Sequence, residues 1–119
     1  MTKNLTTREN ENLNLIMNLL KQTKYWERLS KLPQVRCGHL YTLINERIDL
    51  ETEKGDEILS NRNARYKNGA IKYKWEDIKL RLIEITKDDM DFQTLMLCYN
   101  IIWTFDHKLG HDFLGNYDV

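Results

Sequence analysis

Residues 87–109 read KDDMDFQTLMLCYNIIWTFDHKL, and this stretch decides the fold. Placed on a helix, its apolar side chains fall on nearly every face, and a helix that is apolar all round is buried on all sides in a folded protein. Thr86 and Asp89 are placed to cap its start, and Gly110 is placed to end it. We therefore predict a central helix over 87–109, enclosed by the other helices of the chain.

The remaining sequence carries the signals of amphipathic helices. Thr6 and Glu9 have the spacing of a capping box, in which a hydroxyl and a carboxylate satisfy two backbone amides. Asp56 follows Gly55, which predicts a new N-cap directly after a C-terminal glycine. A shorter helical segment over 25–32 precedes the single proline. Apolar residues also recur at spacings of three and four, which indicates buried helical faces: Leu13, Ile16 and Leu20; Leu40, Leu43, Ile44 and Ile48; Ile71, Trp75, Ile78, Leu82 and Ile85.

Turn-forming residues are scarce, because the 119 residues include five glycines and one proline. An all-β protein needs turn signals every ~8–12 residues. We therefore predict an all-α fold in a single domain over 1–119, a compact bundle of about four to six helices around the buried C-terminal helix. Asn68-Gly69 is typical of a tight hairpin turn, so one short β-hairpin near 66–74 is the alternative to helix at that place.

Composition excludes two broad classes of protein. The 18 basic and 18 acidic residues give a formal net charge of zero, and 41% of residues are apolar, which is typical of a folded globule and not of a disordered chain. No apolar run approaches the ~18 residues that a membrane-spanning helix needs, so we expect no membrane partner. The polar N-terminal stretch and two distant cysteines, Cys37 and Cys98, predict free thiols and a cytoplasmic location.

Charge is segregated along the chain despite the zero net charge. Cations bind phosphates and aromatic rings stack on bases, so a cluster of both predicts a contact with DNA, RNA or another partner. Such a cluster, the basic segment 60–74, contains Arg62, Arg65, Tyr66, Lys67, Lys72, Tyr73 and Lys74 and no acid. The acidic segment 46–59 is a predicted surface for a basic partner and contains Glu46, Asp49, Glu51, Glu53, Asp56 and Glu57. The alternative is that these two neighbouring segments pair with each other.

One set of residues has the chemistry of a metal site: Cys37, His39, His107 and His111. Zinc accepts Cys and His ligands, but a Cys-x-His pair is less specific than Cys-x-x-Cys. A histidine near a helix C-terminus is also stabilised by the helix dipole without a metal. We therefore predict neither a metal nor another cofactor. The three tryptophans lie on helical stripes and are expected to anchor the core rather than to line a cofactor site: Trp26, Trp75 and Trp103.

No nucleophile elbow, phosphate-binding loop, dinucleotide fingerprint or zinc-protease helix occurs in the sequence, so we do not expect an enzyme. A small neutral helical chain with segregated charge favours a protein-interaction module, such as an inhibitor, an adaptor or an immunity-type regulator. Its abundance of Asn, Lys and Ile is compatible with a phage or mobile-element gene. The alternative is a regulatory protein that binds nucleic acid through the basic segment. A homodimer would follow if part of the Ile71–Ile85 stripe were exposed.

Overall fold

A computed structural model describes residues 6–33, 35–60 and 75–109 of the chain, with the backbone alone over 105–109. These ranges contain six α-helices and no strand: α1 (Thr7–Lys21), α2 (Trp26–Leu29), α3 (Cys37–Thr52), α4 (Glu57–Ser60), α5 (Trp75–Ile85) and α6 (Met90–Leu109). The predicted all-α bundle is confirmed. The hairpin considered near 66–74 lies outside the described residues.

The N-terminus of α1 forms as the sequence predicts. Thr6 Oγ1 accepts a hydrogen bond from the Glu9 backbone N–H at 3.1 Å, and Glu9 Oε1 accepts one from the Thr6 N–H at 3.0 Å. This capping box satisfies two amides that have no partner inside the helix. The predicted face of α1 is buried at Leu13, Ile16 and Leu20.

The junction of α3 and α4 also follows the sequence. Gly55 has a φ of +94°, a left-handed conformation that glycine adopts without strain. Asp56 Oδ1 then accepts hydrogen bonds from the backbone N–H groups of Ile58 at 3.0 Å and Leu59 at 3.1 Å. The C-terminal glycine and the new N-cap predicted here are both confirmed.

Helix α2 is shorter than the predicted segment over 25–32. The helix covers Trp26–Leu29 and continues as turns, with the Leu32 N–H donating to the Leu29 carbonyl at 3.1 Å. Helical geometry is disfavoured at the residue before a proline, here Leu32, so this rule limits how far the helix can extend but does not explain its end at Leu29.

The start of α6 is placed differently from the prediction, which included residues 87–89. Asp89 Oδ1 accepts the Phe92 N–H at 3.0 Å, so Asp89 is the capping residue and the helix begins at Met90. The predicted cap at Thr86 is wrong, because the Thr86 hydroxyl donates instead to the Leu82 carbonyl at 2.7 Å. Thr86 thus closes α5 rather than opening α6.

All six helices contribute to one apolar core. Helix α6 packs on α1 and α3, and α4 packs on α3 and α5. The buried residues of α6 are Phe92, Leu95, Met96, Cys98, Tyr99 and Ile102. At the contact with α1, the Cys98 thiol donates to the Ile16 carbonyl at 3.8 Å, and burial raises the pKa of this thiol to about 11.

Within the described ranges, no helix is long and apolar enough to cross a bilayer.

The expectation that α6 is buried on all sides is wrong. Leu97 is 52% exposed, Trp103 48% and Met90 70%. Helix α6 packs on α1 and α3, and Gln93 reaches the Ile83 carbonyl of α5, whereas Met90 and Leu97 lie on the side that faces away from the buried residues. Because the two residues are seven positions apart, they occupy the same face two turns from each other.

Candidate interaction surface and aromatic pocket

Two acids of the acidic segment are already paired within the fold. Glu46 is exposed and forms a bidentate ion pair with Arg28, whose Nη1 and Nη2 atoms lie 2.6 and 2.9 Å from the two carboxylate oxygens. The hydrogen bond from Arg28 lowers the pKa of Glu46. Glu51 is buried and contacts Arg47 at 2.9 Å and Lys54 at 2.9 Å. Burial raises the pKa of Glu51, but the hydrogen bonds from Lys54 and Arg47 outweigh this effect, and the pKa falls below its ordinary value. Glu51 therefore lies beneath the surface on which it was predicted.

Asp56 both caps a helix and forms an ion pair with another helix. One carboxylate oxygen caps α4, and the other accepts a hydrogen bond from Arg81 Nε on α5 at 2.8 Å. Burial raises the pKa of Asp56, but the hydrogen bonds from Arg81 and Leu59 lower it by more. The described partners of Glu46, Glu51 and Asp56 thus come from α2, α3, α5 and the α3–α4 turn. Asp49, Glu53 and Glu57 are exposed.

A charged network joins α3 to the start of α6. Arg47 Nη1 lies 2.6 Å from Asp89 Oδ2, and the Arg47 guanidinium sits 5.1 Å from the centre of the Phe92 ring. Lys24 adds a contact to Asp89 at 3.7 Å. Burial raises the pKa of Asp89, but hydrogen bonds from Arg47 and the Phe92 N–H lower it by more. This network links α3 and the α1–α2 turn to the start of α6.

Of the four weak metal candidates, Cys37 and His39 are the two whose side chains the structure describes. Cys37 is buried at the start of α3, and His39 Nδ1 accepts the Arg36 N–H at 3.0 Å, as the acid of a capping box does. His107 belongs to α6, and His111 lies outside the described residues. Among described side chains, no group of three His, Cys, Asp or Glu could hold a metal ion.

The seven predicted residues of the basic segment all lie outside the described ranges, so they remain a prediction. Of the Ile71–Ile85 stripe considered for a homodimer, Ile78 and Leu82 are completely buried, Trp75 and Ile85 are partly buried, and Ile71 lies outside the described residues. The exposed apolar side chain of α5 is Leu80, on the opposite side of the helix and 66% exposed.

Helices α5 and α6 run antiparallel, and both carry exposed apolar side chains. Gln93 Nε2 donates to the Ile83 carbonyl at 3.2 Å, and Lys79 Nζ lies 3.5 Å from Asn100 Oδ1. This register puts Leu80 and Leu97 at one level of the pair, each on the side away from its buried neighbours. The outer face, defined here by Leu80, Met90 and Leu97, was missed because the pattern of the sequence does not reveal which side of an all-apolar helix is covered.

The second feature is an aromatic pocket of about 230 Å³ between α3, α5 and α6. Four rings line it: Tyr41, Trp75, Tyr99 and Trp103. The Tyr41 ring meets Trp75 edge to face at 5.5 Å and lies 5.7 Å from Tyr99 at a tilt of 32°. Burial raises the pKa of Tyr99, so its hydroxyl is neutral at physiological pH. Contrary to expectation, Trp103 does not anchor the core but stands half-exposed in the pocket wall.

Three polar side chains complete the aromatic pocket. Lys79 is mostly buried, with 18% of its side chain exposed, and its ammonium lies 3.0 Å from the Glu76 carboxylate, which is itself 74% exposed. Asn100 Oδ1 faces the same ammonium at 3.5 Å. The pocket therefore combines aromatic faces with an adjacent hydrogen-bond donor and acceptor. No spacing in the sequence signals this pocket, because Trp75 and Trp103 belong to different helices and only the fold brings both to its wall.

Comparison with protein-family models, curated proteins and solved structures finds no match to this chain.

Proposed function

We propose that the chain is a protein-binding module that contacts its partner through the outer face. The observation that carries this proposal is the exposure of Leu80, Met90 and Leu97 on one antiparallel helix pair. Apolar side chains of this size contribute most to binding when a partner removes them from water. An inhibitor, an adaptor or an immunity-type regulator would act in this way, by surface complementarity without catalysis.

The charges around Leu80 indicate the chemistry of the partner. Residues three and four apart are neighbours on a helix, and the neighbours of Leu80 at these spacings include Glu76, Asp77 and Glu84. Glu76 and Glu84 are 74% and 70% exposed. We infer that the partner presents an apolar surface bordered by basic residues, because opposite charges at the rim increase the association rate and exclude other partners.

The acidic segment has a different role in this proposal. Glu46, Glu51 and Asp56 are bound by cations of the same chain, and separating them would leave partly buried charges without a counter-ion. Recognition through the outer face leaves these pairs intact.

The proposal can be tested with a photo-crosslinking amino acid placed at Leu97 and, as the control, at Leu50. The two leucines are almost equally exposed, at 52% and 57%, but Leu50 lies on α3, away from the outer face. We expect a crosslinked partner protein from cells with the probe at 97 and none with the probe at 50. Leu97→Glu should then abolish co-purification of that same partner, while Leu50→Glu should retain it.

Equal crosslinking at both positions, or crosslinking at Leu50 alone, would contradict the proposal. Sedimentation of the purified chain separates a second copy from a foreign partner. A dimer that Leu97→Glu dissociates would assign the outer face to self-association.

Binding of DNA or RNA by the basic segment is the second candidate, and it rests on the sequence of residues 60–74. It predicts an affinity that falls steeply with salt, with a log–log slope of roughly one per phosphate contacted. Undetectable or salt-independent binding to both nucleic acids would exclude it.

A further inference from the structure

We propose that the aromatic pocket binds a nucleobase, with guanine preferred. The inference uses a feature different from the outer face, because the pocket is formed by aromatic side chains of α3, α5 and α6, although Glu76 in its lining also neighbours Leu80. Aromatic side chains bind bases by stacking, whatever the identity of the base. Trp103 is the accessible ring of the pocket wall, and Tyr41 and Tyr99 support the rings behind it.

The size of the pocket limits what can enter. Its volume of about 230 Å³ is below the range of roughly 300–1,000 Å³ typical of pockets that enclose a whole drug-sized ligand. One ring system can enter, while a sugar and phosphate would remain outside.

The charges of the pocket exclude two other classes of guest. A quaternary ammonium, which aromatic cages commonly bind, would be repelled by the Lys79 ammonium in the wall. An aromatic side chain from a partner protein would pack on the rings but would offer Lys79, Glu76 and Asn100, which bond one another, no polar group in exchange for the water it displaces. Covering polar groups without hydrogen bonds is unfavourable, so a guest with its own polar edge is favoured.

The donor and acceptor of the pocket match the edge of guanine. The Lys79 ammonium and the Glu76 carboxylate are 3.0 Å apart, a donor beside an acceptor. Guanine presents an O6 acceptor next to two donors, N1–H and the N2 amino group, and a carboxylate can accept from both donors. Adenine offers one donor and one acceptor at this edge. Uracil would turn its O2 acceptor toward the carboxylate, which is unfavourable.

The test is titration of the full chain with guanosine, adenosine and uridine 5′-monophosphates, followed by NMR through the indole N–H signals. We expect saturable shifts of the Trp75 and Trp103 signals, a stationary Trp26 signal, and about ten-fold tighter binding of the guanine nucleotide than of the uracil nucleotide. Ribose 5-phosphate, which lacks a base, should not shift these signals.

Three variants assign the roles. Trp103→Ala should weaken the binding of all three nucleotides by about ten-fold, because stacking is lost. Glu76→Gln should remove the preference for guanine and keep the stacking. Glu84→Gln is the matched control for nucleotide binding, since Glu84 is also an exposed acid of α5 paired with a cation three positions away. This substitution should leave the affinities for all three nucleotides unchanged.

Absence of shifts with every nucleotide would overturn the proposal. So would binding of N-acetyl-tryptophanamide as tight as that of the guanine nucleotide, which would assign the pocket to a protein side chain. Tighter binding of a single-stranded hexamer with one guanine than of the guanine mononucleotide would identify nucleic acid as the source of the base. Equal affinities would identify the free nucleotide as that source. Neither result depends on the crosslinking at Leu97, so this proposal and the protein-binding proposal can fail separately.

Discussion

The acidic segment and the outer face of α5 and α6 use their side chains in opposite ways. In the acidic segment, Glu51 is buried and Asp56 is both a helix cap and an ion-pair partner of Arg81, so charged groups hold helices together. On the outer face, Leu80 and Leu97 are more than half exposed. Part of the charged stretch is therefore structural, whereas part of the apolar stretch is exposed to solvent.

The largest effect is expected within α6 itself. Leu95 is completely buried and Leu97 is 52% exposed, although both are leucines on one helix. Leu95→Ala should lower the free energy of unfolding by about 2–5 kcal/mol, because it removes packed atoms and leaves a cavity. Leu97→Ala should change it by less than about 0.5 kcal/mol. Urea unfolding monitored by circular dichroism measures both, and similar losses would contradict the distinction between the two faces.

A smaller effect separates two arginines that both form ion pairs. Arg47 is 22% exposed and contacts Glu51 and Asp89, so Arg47→Met should destabilise the fold by about 1–3 kcal/mol by removing one cationic partner from each of two partly buried carboxylates. Arg28→Met breaks the pair with the exposed Glu46 and should cost less, since water screens that contact. A larger loss from Arg28→Met would contradict this order.

The smallest effect is expected from acidification. Hydrogen bonds lower the pKa values of Glu51, Asp56 and Asp89 below the ordinary values of 4.5 and 3.8, so the unfolded chain binds protons more readily than the folded chain. The stability from these carboxylates is complete above the ordinary values and is lost as the pH falls through the lowered ones. Unfolding free energies from pH 7 to pH 3 should therefore decline below about pH 4.5. Arg47→Met should flatten that decline, and an unchanged slope would show that the network does not supply it.

Features that depend on neighbouring residues could be predicted from the sequence. The capping box of Thr6 and Glu9, the left-handed Gly55 and the cap at Asp56 each involve backbone groups two or three positions away, so the pattern specifies the geometry. Thr86 shows the limit of this reasoning. Its hydroxyl can bond backward to Leu82 or forward into α6, and the sequence does not decide between them.

Features that depend on how helices pair could not be predicted. Trp103 and Trp26 both lie on helical stripes, but Trp103 stands in a pocket wall because α3 and α5 meet α6 beside it. The partners of Glu46 and Asp56 are 18 and 25 positions away, and no spacing rule connects them. For the same reason, the donor–acceptor pair of the aromatic pocket could be recognised in the sequence as a helical ion pair but not as a site.

The setting of Cys98 turns the junction of α1 and α6 into a natural reporter of local opening. With its pKa raised to about 11, the thiol is protonated at neutral pH, and its sulfur is enclosed between the two helices. An alkylating reagent reacts with the thiolate, so labelling requires the helices to part first. The rate of Cys98 modification, measured by mass spectrometry, would therefore report how often α1 and α6 separate at this junction, without any engineered probe.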